Sequence, residues 1–231
     1  MNLSTHRCLL AFDVFGTLVD PDGLVDELAP HIGDQAGAFA REWRRTQVEY
    51  LIRHAAMNTH RPFPAVTDDA LVDCLTRFSR PLDASVREEL VAAWSRLPAL
   101  PGAADALARL RADGHHAVAF SNGREADVTA LLEQAGLGGH FAAVHSVEAA
   151  GTFKPSPRVY ARLAHELDAA PEAVWLVSAN YWDAAGARSA GLRSVWLARG
   201  REPDTWPWRP DLIVDELADL VGQPALTEGG A

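Results

Sequence analysis

The stretch that most constrains this chain is Leu9 to Val19, which reads Leu-Leu-Ala-Phe-Asp-Val-Phe-Gly-Thr-Leu-Val. A short apolar run, Leu9 to Phe12, leads straight into Asp13, the pattern of a strand buried on both faces. Strands buried on both faces belong to parallel sheets, and in open parallel sheets ligands bind in the crevice outside the carboxyl ends of the strands. Asp13 is the group delivered there. The same residues also suit a plain turn, with Gly16 permitting the bend and Thr17 capping the segment after it.

The remainder of the chain supports the parallel sheet. From Asp20 to about Leu97 the periodicity is helical, carried by Leu24, Val25, Leu28, Phe39, Trp43, Val48, Tyr50, Leu51 and Ile52 between charged residues. Arg61-Pro-Phe-Pro64 interrupts the helices, which resume over Asp69 to Phe78 and Ser85 to Leu97. Pro98-Ala-Leu-Pro-Gly102 then reads as a return hinge. Beyond it, strands and helices alternate. Helices are predicted over 103–112, 124–134, 157–167 and 183–190, and strands over 116–120, 142–144, 174–177 and 194–197. The expected architecture is an α/β, Rossmann-like parallel sheet core with helices on both faces, formed by 1–19 and 98–231, with an inserted all-helical cap over 20–97.

Composition narrows the function classes. The 231 residues are 48% hydrophobic, enough for a full core, and the formal net charge of -10 argues against a nucleic-acid partner, which needs clustered Lys and Arg. No apolar run approaches membrane-spanning or signal length, so the expectation is a cytoplasmic protein without a membrane partner. Cys8 and Cys74 have no metal-ligand or disulfide spacing and read as buried small hydrophobes. The nine histidines form no ligand-spaced cluster, His115-His116 reads as a surface pair before a strand, and Thr227 to Ala231 reads as a frayed tail. No metal and no cofactor are expected.

Each candidate strand ends in a polar group: Asp13, then Ser121-Asn122, then Ser178 to Asn180. Strand-to-helix turns favour Ser, Asn and Asp as caps, which accounts for each singly. Lys154 is different. It precedes Pro155 and Pro157 where a helix opens, and a cation is unfavourable at that end of a helix dipole. A nearby carboxylate nucleophile or an anionic substrate would justify the charge.

Asp13-Val-Phe-Gly-Thr17, Ser121-Asn122-Gly123, Lys154-Pro155 and Ser178 to Asp183, in that order along the chain, resemble the haloacid dehalogenase superfamily. Trp43-Arg-Arg-Thr-Gln-Val-Glu-Tyr50, Lys154-Pro-Ser-Pro-Arg-Val-Tyr160 and Ser178-Ala-Asn-Tyr-Trp-Asp183 are similar to its L-2-haloacid dehalogenase branch. That resemblance implies hydrolysis of short L-2-haloacids to D-2-hydroxy acids, with Asp13 displacing halide at C2 and water hydrolysing the resulting ester. It implies Arg44 as the halide-binding group reaching down from the cap, and Ser121 as the substrate carboxylate site, with Asn122 lining the halide side. Thr17 and Lys154 would hold Asp13 in place and ionised, and Tyr160, Ser178 and Asn180 would complete the polar network. Asp183 would orient the hydrolytic water or anchor Lys154, and Phe63 and Trp182 would form apolar walls.

Phosphatases of the superfamily carry a second aspartate two residues after the nucleophile, where this chain has Phe15, and a magnesium-binding carboxylate where it has Ser178. A phenyl ring cannot protonate a leaving alcohol, whereas a halide needs no acid. Two alternatives stay open on the sequence: a phosphatase on a small phosphate ester, and a non-catalytic protein binding a small carboxylate. The chain departs from the branch at Phe15, where tyrosine is common, at Ala179, where serine is common, and at Arg45, where glutamine is common, the last bearing on the cap side of the pocket. The cap aromatics Trp43, Tyr50, Phe63 and Trp94 read either as the lobe's core or as a face for a homodimer.

Overall fold

The structure is a computed structural model that describes residues 8–203 and 205–227; His6 and residues 228–231 of the expected tail lie outside the described residues. Its centre is β1 (Leu9–Phe12). The strands β2 (His116–Ser121), β3 (Val144–Ser146), β4 (Val174–Ser178), β5 (Arg193–Leu197) and β6 (Leu212–Val214) join it in one parallel sheet of order β3-β2-β1-β4-β5-β6. Phe12 pairs with Ala119 on one side and Val177 on the other. The chain after β1 therefore emerges between the ends of β2 and β4, where the strand order reverses, which is the position that binds ligands in such sheets. The helices α5 (Ala103–Ala112), α6 (Glu125–Gln134), α7 (Pro157–Glu166) and α8 (Tyr181–Ser189) cover both faces. For that reason β4 is buried throughout, and β2 from Ala117 onward, instead of alternating.

Between β1 and α5 the chain forms an all-helical lobe of α1 (Leu24–Ile32), α2 (Ala36–Met57), α3 (Phe63–Arg77) and α4 (Ala84–Ala93). The outgoing and returning segments are zipped together, Asp20 N–H donating to Pro98 O and Leu100 N–H to Leu18 O, both at 2.8 Å. Within the lobe α2 turns Phe39, Trp43, Thr46, Gln47 and Leu51 inward. Two of these are held by α3: Trp43 Nε1 donates to Thr67 O at 2.9 Å and Gln47 Nε2 to Thr67 Oγ1 at 2.7 Å. No helix of the described residues is long and apolar enough to cross a membrane.

Several sequence expectations shift. Helix α3 starts at Phe63, ahead of the expected Asp69, because Pro64 falls in its first turn, where a missing N–H costs nothing. The last helical turn before the hinge is 3-10, Trp94–Arg96. Strand β3 runs two residues later than 142–144, although Ala142 N–H still bonds to Ala117 O. Helix α8 starts at Tyr181, two residues early. The edge strand β6 was not expected at all, since three residues give no usable period. His115 is not a surface residue: it is buried and accepts the Cys8 N–H at 3.3 Å, while His116 is exposed. Trp43, Phe63 and Trp94 are buried, and Tyr50 is half-buried with its hydroxyl donating to Asp73, so these aromatics build the lobe's interior.

Candidate active site

Asp13 leaves the end of β1 with 6% of its surface exposed, and its two carboxylate oxygens are treated differently. Oδ2 accepts from Thr17 Oγ1 at 2.8 Å, Asn180 Nδ2 at 2.8 Å and Ser178 Oγ at 3.4 Å. Among the described residues, Oδ1 accepts only from Lys154 Nζ, at 3.2 Å. Thr17 is positioned by the turn that Gly16 makes at φ 82°, and its hydroxyl oxygen accepts the Ala179 N–H at 2.9 Å, tying the β1 and β4 loops together.

Lys154 is fully buried, which settles why a cation stands in the loop before α7. Its ammonium donates to Asp13 Oδ1, to Asp183 Oδ2 at 3.0 Å and to Phe120 O at 2.9 Å, and it lies 4.3 Å from the Phe120 ring centre. Three donors meet three acceptors, as a buried ammonium requires. Asp183 Oδ1 accepts from Tyr160 Oη at 2.7 Å. Burial pushes the Asp183 carboxyl above its ordinary range while Lys154 pulls it back, and burial together with the Asp183 charge pushes the Tyr160 phenol well up. Tyr160 therefore stays a donor.

The turn after β2 supplies the other wall. Gly123 N–H donates to Ser121 Oγ at 3.1 Å, and Asn122 Oδ1 accepts the Lys154 N–H at 3.0 Å. Among the described residues, the backbone N–H groups of Val14 and Asn122 meet no acceptor. They stand at the ends of the adjacent strands β1 and β2, next to the Ser121 hydroxyl. Two free donors and a hydroxyl make a place for a carboxylate.

From the lobe, Arg44 donates through Nη2 to Phe15 O at 3.2 Å and through Nη1 to Gln47 Oε1 at 2.6 Å, and its guanidinium lies 5.7 Å from the Trp94 ring centre. Burial lowers Arg44 to about 10, opposed by the charge of Asp13, so it stays cationic at neutral pH. Gln47 and Thr67 were not anticipated. They form a relay, Arg44 to Gln47 to Thr67 to Phe63 O, that fixes the guanidinium. The available signal was the i,i+3 spacing of Arg44 and Gln47 on one helix face. Phe15 stacks on Phe63 with ring centres 5.1 Å apart, and Trp94 meets Phe15 edge-on at 5.7 Å.

Trp182 is half-buried in the first turn of α8, next to Asp183, which that turn directs inward. One expectation is corrected by this geometry. Arg45 faces solvent, pairing with Glu42 at 2.7 Å and Glu49 at 3.2 Å, so the glutamine-to-arginine difference does not reach the pocket. The donor set around Asp13 also does not fit a divalent cation, which needs a shell of oxygen acceptors. Its oxygens already face a lysine, an amide and two hydroxyls.

Residues 9–191 match the family model described as haloacid dehalogenase-like hydrolase. The (S)-2-haloacid dehalogenase of Pseudomonas sp. (strain YL) is 34% identical over 216 residues, covering 92% of both chains. That of Xanthobacter autotrophicus is 32% identical over 246 residues, covering 96% of this chain and 95% of its own. Among solved structures, the L-2-haloacid dehalogenase from Xanthobacter autotrophicus with chloropropionic acid covalently bound superposes with a TM-score of 0.88 at 30% identity, over 97% of this chain and all of that one.

Proposed function

The chain belongs to the haloacid dehalogenase-like hydrolase family, and on that premise we propose that it hydrolyses short L-2-haloacids to D-2-hydroxy acids through an ester on Asp13. The observation that carries this reading is the asymmetry of Asp13 beneath a cationic Arg44: Oδ2 is held by three donors and Oδ1 by one. Oδ1 keeps lone-pair density for attack while Oδ2 keeps the carboxylate oriented.

In the first step Asp13 Oδ1 forms a bond to C2 of the haloacid as the carbon–halogen bond breaks, and the halide leaves with the bonding pair toward Arg44 and Asn122. The Ser121 hydroxyl and the free N–H groups of Val14 and Asn122 bind the substrate carboxylate. Attack from the side opposite the halide inverts C2. The Phe15 carbonyl accepts from Arg44 and from Asn180, positioning both, and its ring joins Phe63 in the apolar wall. That wall limits solvation of the attacking oxygen.

In the second step water attacks the carbonyl carbon of the Asp13 ester, the Cγ–Oδ1 bond breaks, and the new hydroxy acid keeps that oxygen at C2. The water oxygen remains on Asp13 as the carboxylate re-forms, and the balance is one water consumed, one halide and one proton released. Both oxygens of Asp183 are engaged by Lys154 and Tyr160, so it acts as the anchor of Lys154 and not as a free base. Lys154 stabilises the carboxylate charge before attack and again after hydrolysis. No metal takes part in this scheme. The substrate is a small anion, and neither a nucleic acid nor a membrane partner has a role.

The test is halide release from L-2-chloropropionate and chloroacetate by purified protein in EDTA, with Asp13→Asn as control. Release that resists EDTA and drops by at least ~10⁴-fold in Asp13→Asn is expected, the loss typical of removing a covalent nucleophile. Folded protein that releases no halide but hydrolyses p-nitrophenyl phosphate with magnesium would establish the phosphatase instead. Saturable binding of propionate with no turnover would establish a binding protein.

A further inference from the structure

A cleft of about 290 Å³ opens beside the active site between the helical lobe and the loop after β5. Arg41, Arg44, Asn180, Arg199 and Arg201 line it, with Asp20 and Asp22. Its inner end is the active site, since Arg44 belongs to the halide side and the Asn180 amide donates to Asp13. Four guanidinium groups thus converge on one opening. The ion pairs of the described residues leave all four out. Asp20, for its part, accepts the N–H of Asp22 at 2.9 Å within their own turn.

Arg199 and Arg201 have no part in the two-step reaction, yet the chain goes to some length to place them. Arg199 holds φ at 51°, a left-handed conformation unfavourable for a residue with a Cβ, and Gly200 follows at 72° with its N–H bonded to Asp215 Oδ1 at 2.8 Å. This double turn sends both side chains back along the cleft. Arg199 Nη2 donates to Thr17 O at 3.3 Å. Arg201 donates to Ala179 O at 2.7 Å, Leu197 O at 3.1 Å and Ala198 O at 2.8 Å, and lies 5.3 Å from the Trp196 ring centre. Every one of these acceptors is a neutral carbonyl. These hydrogen bonds bring neither arginine a counter-charge. Burial, and then the neighbouring Arg199, push the Arg201 guanidinium below its ordinary value.

That arrangement is costly unless an anion uses it. The chain carries a net charge of -10, so its overall field opposes the approach of any carboxylate substrate. A cleft that sets four guanidinium groups against the two carboxylates of Asp20 and Asp22 reverses the field locally. Resting on the dehalogenation reaction, we propose that Arg199 and Arg201, together with Arg41, form an anion vestibule that draws small monocarboxylates from bulk solvent to Arg44 and Asp13. The vestibule governs capture of the substrate and leaves the displacement itself to the residues around Asp13. A purely structural role for the two arginines, bracing the Thr17 and Ala179 carbonyls, would act on kcat through Asp13 and would not respond to salt.

The experiment measures kcat and KM for chloride release from L-2-chloropropionate as ionic strength rises from about 20 to about 300 mM with sodium sulfate, a range over which the Debye length shrinks below the cleft's dimensions. Wild-type kcat/KM is expected to fall ~5-fold or more across the range, as steered association does. Arg199→Gln/Arg201→Gln is expected to start ~10-fold lower, almost entirely in KM, with a nearly flat salt profile. Arg41→Glu, on an exposed residue of α2, should shift KM and the salt profile in the same direction. Calorimetric titration with propionate, which needs no turnover, should show weaker and less salt-sensitive binding in both variants. A salt profile parallel to wild type in both variants overturns the vestibule, as does a loss confined to kcat in the double variant. If the double variant does not fold, Arg41→Glu decides alone. If wild type releases no halide at all, the reaction scheme fails while the propionate titration still decides the vestibule.

Discussion

Lys154 is the residue on which the candidate site depends most, because it is the one cation between two buried carboxylates, Asp13 and Asp183. Replacing it with Met keeps much of the volume and removes the charge. The two carboxylates are then left facing each other without a counter-ion, and removing one partner of a buried ion pair typically costs ~3–5 kcal/mol. Lys154→Met should therefore lower the stability measured by urea denaturation by that amount at pH 7 and abolish halide release. The loss should shrink in Lys154→Met/Asp183→Asn, where only one buried carboxylate remains. Equal losses in the single and double variants would mean that Lys154 acts by packing alone. The charge of Lys154 was legible in the sequence because a lysine before a helix opposes the dipole and asks for a reason. Asp183 as its anchor was one of two roles the resemblance implied, whereas its bond to Phe120 O was not legible, since that partner lies 34 residues away in the chain. Gln47, Thr67, Arg199 and Arg201 stayed hidden for a related reason. Each is an ordinary polar residue whose role exists only once distant loops are packed together.

The elements themselves were legible where a period or a stop signal marked them. Strand β1, helix α5 and the starts of β2, α7 and β4 follow from buried apolar runs and from Gly or Pro at their ends. The missed β6 and displaced β3 are three-residue strands whose pairing comes from the sheet and not from their own sequence. What the sequence could not convey is how closely elements approach. In α8 a Cβ on Gly186 would stand 2.6 Å from Pro155 Cβ and 2.8 Å from the Tyr160 hydroxyl. Gly186→Ala must push α8 away from α7 and its loop, which lengthens the Tyr160–Asp183 bond that supports Lys154. A cost of ~1–3 kcal/mol is expected from such overpacking, with a fall in kcat that Gly186→Ala shows and a surface Gly→Ala control such as Gly139→Ala does not. On the lobe, Glu42 of α2 ties Arg45 to Arg77 of α3, and those hydrogen bonds hold its carboxyl down at about 2. A depressed folded value means that the stabilisation is complete above the ordinary glutamate range and is lost as pH falls toward 2. Glu42→Gln should thus lower stability at pH 7 by ~0.5–1 kcal/mol, the scale of partly exposed networks, and should leave stability at pH 2 unchanged. Thermal melts at the two pH values check the sign.

At the scale of the whole molecule, the question is what joins the helical lobe to the sheet closely enough for Arg44 to face Asp13, yet loosely enough for substrate to enter. The two chain crossings are zipped by backbone bonds at Asp20–Pro98 and Leu18–Leu100. Among the described residues, the polar side-chain contacts across the cleft are few: Arg44 to Phe15 O, and Arg158 of α7 to Asn58 at the end of α2. Ring contacts join lobe and sheet at two places: Phe15 of the β1 loop stacks on Phe63 and meets Trp94 edge-on, Trp94 meeting Trp43 in turn, and the buried Phe153 stacks on His60 at 4.7 Å and lies 5.8 Å from His54. Phe15 is the one of the two core side chains that joins the lobe's own aromatic cluster. The wild-type chain should then unfold in one cooperative transition, with tryptophan fluorescence and far-ultraviolet circular dichroism coinciding. Phe15→Ala removes the ring and leaves a cavity between the lobes, at a cost of ~3–5 kcal/mol if that space cannot collapse. Because the loss falls on the junction and not on either interior, the fluorescence of Trp43 and Trp94 should change at a lower temperature than the helical signal of the whole chain. Phe15→Tyr keeps the ring, and should keep the single transition. A single, coincident transition in Phe15→Ala with less than ~1 kcal/mol lost would place the coupling in the zipped crossings and the Phe153–His60 stack instead. The position that lacks the phosphatase aspartate would then be free of any structural duty, and Phe15 would owe its place to the reaction alone.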